Sequence, residues 1–247
     1  MGNQKSGTSA IAALLAKLTG LSATLDLKNE FPIPTYPQIL QGQLPFSQFR
    51  QNYELDFSRN IVKEPNLTLL YPELAESFPE SKFVFILRDP RDNIRSILNR
   101  LKIPGNLSQL SPEYCQKVTP AWKLIIDNRW LGLEGENYIE MLSARWNYMA
   151  DVFLNNQEQM VLVRYEAFLK DKLGELTRLA DKLGLNPVND ITHRLDVQFQ
   201  RRGDRDVKWQ DFFGNQNLAQ IEHICAARMR RLGYPINREL QLQTTLS

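Results

Sequence analysis

The chain has 247 residues, 43% of them hydrophobic and 23% charged, with 30 Lys+Arg against 28 Asp+Glu for a formal net charge of +2. That is ordinary for a globular protein of one large or two small domains, and too weakly basic for a charge-driven nucleic-acid binder. Two lone cysteines, Cys115 and Cys225, and two separated histidines, His193 and His223, give neither a disulfide framework nor a metal-ligand spacing.

The first element follows GNQKSGTS, residues 2–9. Ile11, Leu14, Leu15 and Leu18 fall at i, i+3, i+4 and i+7, which predicts a helix with one apolar stripe. Thr8 or Ser9 is the expected cap, and Gly20 the expected stop. The loop nearly reads as G-x-x-x-x-G-K-[ST], with Gly2 and Gly7 at the right spacing. Thr8, however, stands where that motif has its lysine, and a lysine occurs earlier, at Lys5. Glycines before a helix N-terminus let backbone amides approach an anion, and Lys5, Thr8 and Ser9 add donors. The competing reading is an ordinary turn before a helix.

Short apolar runs come next. Residues 60–62 (NIV) are a weak strand candidate; FVFIL, 83–87, and MVLVRY, 160–165, read as strands buried on both faces of a parallel sheet. Helical patterns cover Pro72 to Phe78, Asp92 to Leu101, Tyr138 to Leu154, Lys172 to Lys182 with Gly184 as its stop, and Leu218 to Arg231. Alternation of strands and helices predicts an α/β fold, a three-layer α/β/α arrangement around a mostly parallel sheet, over a single domain of residues 1–247. Residues 102–133, with three prolines, are the least regular and are expected to form an insertion or lid. A phosphate loop in such a sheet normally follows a strand, and only Met1 precedes Gly2, so the first strand is expected to be missing.

Two further stretches carry basic groups. In LRDPRDNIRSIL, 87–98, Arg88 ends a strand, where open α/β sheets bind ligands, and Ser96 lies about two turns into the next helix. Together they can grip a phosphate; the alternative is a helix cap with surface ion pairs among Arg88, Asp89, Arg91 and Asp92. In QRRGDRDVKW, 200–209, Arg201, Arg202 and Gly203 form a basic turn whose charge is offset by Asp204 and Asp206, and a solvated loop explains it equally well.

Together these stretches resemble the sulfotransferases that use 3′-phosphoadenosine-5′-phosphosulfate (PAPS). QKSGTS resembles the family's PKSGT[TS] loop. LRDPRDNIRSIL has the family's Arg and Ser eight apart. RRG with Trp209 and Phe212 resembles its R-K-G…W…F segment, and VRYEAFLKD, 163–171, its segment after a later strand; MRRLGY, 229–234, is also similar. The resemblance implies a P-loop-like fold in which Lys5, Ser6, Gly7, Thr8 and Ser9 hold the 5′-phosphate. It implies that Arg88, Ser96, Arg201, Arg202 and Gly203 hold the 3′-phosphate and that Tyr165 lies near the adenine. It implies transfer of a sulfuryl group to a hydroxyl or amine without a metal, with 3′,5′-adenosine bisphosphate (PAP) as product and Lys5 stabilising the leaving group.

The sequence departs from the cytosolic phenol and steroid branch, whose K-T-H carries the base: VKEP, 62–65, has no histidine, and Ala10 stands where that branch has Trp. The likeness is closer to the bacterial and Golgi-type branch, which implies a glutamate base. Glu30 is the candidate, with Asp26 and Glu64 as rivals and Lys63 facing the transferred group. Phe31, Tyr36, Trp122 and Trp130 are candidates to line the acceptor pocket, although large aromatics are often simply buried. Two other readings are a P-loop kinase, which the residue at Thr8 disfavours, and a degenerate, non-catalytic binding protein. The absence of an 18-residue apolar run and of a signal-peptide pattern predicts a cytoplasmic protein without a membrane span. The expected partner is an acceptor substrate and not nucleic acid; self-association is compatible with the sequence.

Overall fold

The FVFIL run forms a strand, Phe83–Leu87, and MVLVR a second, Met160–Arg164, and the two pair in parallel with Phe83 opposite Met160 and Leu87 opposite Arg164. Phe85, Ile86 and Leu87 are buried, as a strand covered on both faces requires. These details come from a computed structural model, which describes residues 1–197 and 207–236.

In chain order the elements are α1 (Thr8–Thr19), β1 (Ala23–Thr24), α2 (Tyr36–Leu40), α3 (Phe46–Asn52), α4 (Glu54–Phe57), β2 (Ile61–Val62), α5 (Tyr71–Ser77), β3 (Phe83–Leu87) and α6 (Pro90–Leu101). Then follow α7 (Pro112–Gln116), α8 (Pro120–Ile126), α9 (Tyr138–Asn155), β4 (Met160–Arg164), α10 (Tyr165–Lys170), α11 (Lys172–Lys182) and α12 (Trp209–Arg231). The fold is α/β with parallel strands, as expected. The strands form two small sheets, β1 with β2 and β3 with β4, because β1 and β2 are only two residues each.

The chain divides into two compact units. The first holds residues 1–88 and the described part of 152–200; the second holds 89–151 and the described part of 201–247. The core of the first unit is the stripe read from the sequence. Ile11, Leu14, Leu15 and Leu18 of α1 pack with Ile86, Val163, Phe168, Leu176 and Leu179. Each such side chain contributes about 1.5–3 kcal/mol by leaving water. In the place of a strand before the loop there is one parallel bridge, Gly2 to Ile86, backed by the Ile86 amide donating to the Met1 carbonyl at 3.1 Å. Gly2 has φ +124°, and a Cβ there would stand 2.4 Å from the Ile86 carbonyl oxygen.

Two expectations change. The cap of α1 is neither Thr8 nor Ser9 but Gly7, in a left-handed conformation without a side-chain cap. α12 starts at Trp209 and not at Leu218, because Gly214 (φ 68°, ψ 169°) interrupts it and the apolar register resumes only beyond that kink. The stretch 102–133 contains α7 and α8, each opened by its proline, a residue preorganised for a first helical turn. Gly20 ends α1 in the left-handed conformation as expected, and Asp89 caps α6 by accepting from the Arg91 amide. No helix among the described residues is long and apolar enough to cross a membrane.

Candidate active site

The loop 3–9 joins the β3-side bridge to α1. Lys5 (φ 65°) and Gly7 (φ 90°) both take the left-handed conformation, one of two non-glycine positive-φ positions among the described residues being Lys5 itself. Two such residues curl the chain so that the loop wraps the N-terminus of α1, whose first-turn amides have no intrahelical acceptor. Ser6 and Thr8 are buried, whereas Lys5 and Ser9 are half-buried.

Arg88, at the carboxyl end of β3, reaches this loop. Its Nη1 donates to the Lys5 carbonyl at 2.7 Å, and its guanidinium lies 4.7 Å from the centroid of the Tyr165 ring. Tyr165 in turn fills the space beside Gly7: a Cβ on Gly7 would stand 2.3 Å from the ring. Lys5, Gly7, Arg88 and Tyr165 therefore form one cluster. From behind, the loop is braced by the turn 64–70: the Gly2 amide donates to the Thr68 hydroxyl at 2.8 Å, and the Gln4 amide group to Asn66 Oδ1 at 2.7 Å.

That turn begins at Glu64, so the brace also places Lys63 and Glu64. The Lys63 ammonium is paired with the Asp26 carboxylate. Glu64 accepts from the Asn66 amide at 3.0 Å. Burial pushes the Glu64 carboxyl up from its ordinary 4.5 to about 7, against the Asn66 hydrogen bond and the Lys63 charge, with Asp26 adding to the rise. Glu30 is 2% exposed and accepts three hydrogen bonds: from the Thr35 amide at 2.6 Å, the Thr35 hydroxyl at 2.8 Å and the Tyr53 hydroxyl at 2.8 Å.

The other sequence candidates are placed as follows. Phe31 is exposed and Tyr36 buried, both in the first unit. Ser96 is half-buried in α6 of the second unit. Trp122 and Trp130 are half-buried in the second unit, and the Trp130 indole donates to the Leu124 carbonyl at 2.8 Å. Arg201, Arg202 and Gly203 lie outside the described residues. Sequence reasoning missed Tyr53, Asn66 and Thr68, which carry no motif and act only through the fold, and it gave Gln4 no role although Gln4 opens QKSGTS.

Arg91, which the alternative reading of 87–98 placed among surface ion pairs, is instead buried. It donates to both Asp89 oxygens, to Glu222 at 2.7 Å and to the Pro235 carbonyl at 3.0 Å, and it stacks 4.0 Å from the Trp209 ring. The sequence pattern could not show this, because Glu222 is 131 residues away.

With this geometry in view, the chain matches the model of the sulfotransferase family over residues 47–190, more than half its length. The chain belongs to the sulfotransferase family. The match contains Lys63, Glu64, Arg88, Ser96 and Tyr165 and begins beyond the loop 3–9, so the reading of that loop rests on its residues and conformation. No individual curated protein matches the chain. Membership supports sulfuryl transfer in general terms.

Proposed function

We propose that this family member transfers the sulfuryl group of PAPS to a hydroxyl or amine. The observation that carries the reading is the Lys5–Gly7–Arg88–Tyr165 cluster, in which a left-handed loop at a helix N-terminus is pinned by an arginine from a strand's carboxyl end. The residues fit the donor. Loop amides, Lys5, Ser6, Thr8 and Ser9 would hold its 5′ end, Tyr165 is assigned to its base, and Arg88 to its 3′-phosphate.

The donor supplies the sulfuryl group and leaves as PAP: its bond from sulfur to the 5′-phosphate oxygen breaks as the bond from sulfur to the acceptor atom forms. Lys5 places a cation where the leaving oxygen gains charge, a term worth about 3–4 kcal/mol in comparable sites. We assign the base to Glu64 in place of Glu30. Glu30 already accepts from three donors, so its oxygens are committed to holding Thr35 and Tyr53. Glu64, with its carboxyl near 7, is matched to taking a proton at neutral pH. Lys63, held by Asp26, is assigned to the transferred group.

Calorimetric titration with PAP, beside ATP and Mg²⁺, tests the reading. Binding of PAP alone is expected. Binding of ATP with Mg²⁺ alone would replace it with the kinase reading, and binding of neither would leave only a non-catalytic role.

A further inference from the structure

The far end of α1 is fastened to the segment 188–194. The Val188 and Asn189 amides donate to the Leu18 carbonyl at 2.8 and 3.1 Å, and the Asn189 side-chain amide donates to the Lys17 carbonyl at 2.8 Å. With the Leu21 amide on the Ala16 carbonyl, the last carbonyls of the helix are taken up by the chain itself. Beside this joint lies a cleft of about 430 Å³, a volume in the range of small-molecule sites. Lys17 and Gly20 line one side, and Asp190, His193 and Arg194 the other. Ala16 and Ile191, both buried, give it an apolar wall. All of these residues belong to the first unit. Because α1 has 12 residues, the cleft lies about 18 Å from the loop 3–9, at the opposite end of the helix.

The charges in the cleft are not spent on one another. Asp190 accepts from the Thr192 amide at 2.8 Å, and bonds from Thr192 hold its carboxyl below the ordinary range, so it serves to cap the turn 192–194. Neither Lys17 nor Arg194 forms an ion pair among the described residues. The Arg194 Nε donates to His193 Nε2 at 3.3 Å, which leaves both Nη nitrogens for a ligand and puts the imidazole proton on Nδ1.

We propose that this cleft is a second anion site, separate from the loop 3–9, and that it binds a small organic phosphate or sulfate ester. Lys17 and Arg194 hold the oxyanion, and Ala16 and Ile191 contact the apolar body. Two cations without a partner, against one carboxylate already engaged, select a negative head, and a guanidinium fork suits a tetrahedral oxyanion. The apolar wall favours an ester over the bare ion. The site does not depend on the sulfotransferase reading.

The chain has two histidines, His193 in the cleft and His223 in α12, so imidazole NMR signals, assigned with His193→Gln, report on the cleft directly. The full chain is titrated at constant pH and low ionic strength with phenyl phosphate, phenyl sulfate, inorganic phosphate and phenol. A saturable shift of the His193 signals by at least one ester is expected, at lower concentration than with inorganic phosphate and with no shift by phenol. Lys17→Ala combined with Arg194→Ala should weaken that response by about 10-fold, the loss of two charge-assisted contacts. Both side chains are exposed, so the melting temperature should not change. Lys5→Ala, at the other end of α1, should leave the response as in wild type. No shift of His193 with either ester, or a shift that survives in the double variant and disappears in Lys5→Ala, would overturn the proposal. An equal response to phenol would overturn the anion selectivity, and an equal response to inorganic phosphate would overturn the assignment to an ester.

Discussion

The Tyr165 ring separates Gly7 from Arg88: its edge occupies the place a Gly7 side chain would take, and its face lies 4.7 Å from the Arg88 guanidinium. One aromatic side chain thus fixes both the loop and the strand-end arginine, which are 81 residues apart in sequence. The loop conformation and the arginine position should consequently fail together.

Gly7→Ala tests this directly. The substitution adds a methyl 2.3 Å from the ring and strains a φ of +90°. Left-handed strain and overpacking together are expected to cost about 2–4 kcal/mol. For a chain of this size that lowers the melting temperature by roughly 5–15 °C. Adding Tyr165→Leu should recover the clash but not the backbone strain, so the double variant should be less damaged than the sum of the two singles. A Gly7→Ala protein with wild-type melting and PAP affinity would contradict the described contact.

Lys5 is a non-glycine residue at φ 65° in the middle of the same loop. Lys5→Ala and Lys5→Gly both remove the ammonium and should both lower sulfuryl transfer by about 10²- to 10³-fold. Their stabilities should differ. Glycine relieves the left-handed strain that alanine keeps, so Lys5→Gly is expected to be the more stable by about 1 kcal/mol, read from thermal melting. Equal transfer by wild type and either variant would remove Lys5 from the chemistry.

The elements legible in the sequence were those whose signal is local. The stripe Ile11–Leu14–Leu15–Leu18, the apolar runs of β3 and β4 and the Asp89–Pro90 start of α6 need only periodicity and capping to be seen. The short helices α2 to α4 had no such signal, since four to seven residues hold no full apolar repeat. In the site, residue types were visible and their states were not. Glu30 and Glu64 look alike as letters. The fold buries both, but it gives Glu30 three hydrogen-bond donors and raises the Glu64 carboxyl, and those differences come from Thr35, Tyr53 and the turn 64–70. Arg91 looked like a surface charge because its partner Glu222 arrives from α12, far along the chain.

The raised Glu64 carboxyl sets a pH dependence whose sign follows from linkage. The group binds its proton more tightly folded than unfolded, so the stabilisation it provides is fully present below pH 4.5 and is lost between 4.5 and about 7. The span corresponds to about 3 kcal/mol as an upper figure. Asp26 and Lys63 face the same group, so Glu64→Gln should flatten this limb of the stability curve while leaving their ion pair in place. The rate should move the other way. In wild type kcat/KM is expected to rise with pH up to about 7 as Glu64 becomes a base, and Glu64→Gln should lower it by roughly 10²- to 10⁴-fold and abolish the rise. A variant that keeps the wild-type profile would return the base role to Asp26 or Glu30, and Glu30→Gln would then be the informative change.

Arg91 offers a test confined to the second unit. Its guanidinium pairs with two buried carboxylates, Asp89 and Glu222, and the three side chains are almost entirely shielded from water. Arg91→Met preserves bulk against Trp209 but removes the guanidinium that Asp89 and Glu222 both accept from. Breaking a buried pair in this way typically costs about 3–5 kcal/mol, more than the pair itself contributes over a hydrophobic replacement. Arg91→Met is therefore expected to lower the melting temperature by roughly 6–20 °C. Adding Glu222→Gln should restore a large part of that loss, because the Glu222 charge is gone, whereas Glu222→Gln alone should be mildly destabilising. If the double variant melts no higher than Arg91→Met, the loss comes from packing against Trp209 and from the Pro235 hydrogen bond, and not from uncompensated charge.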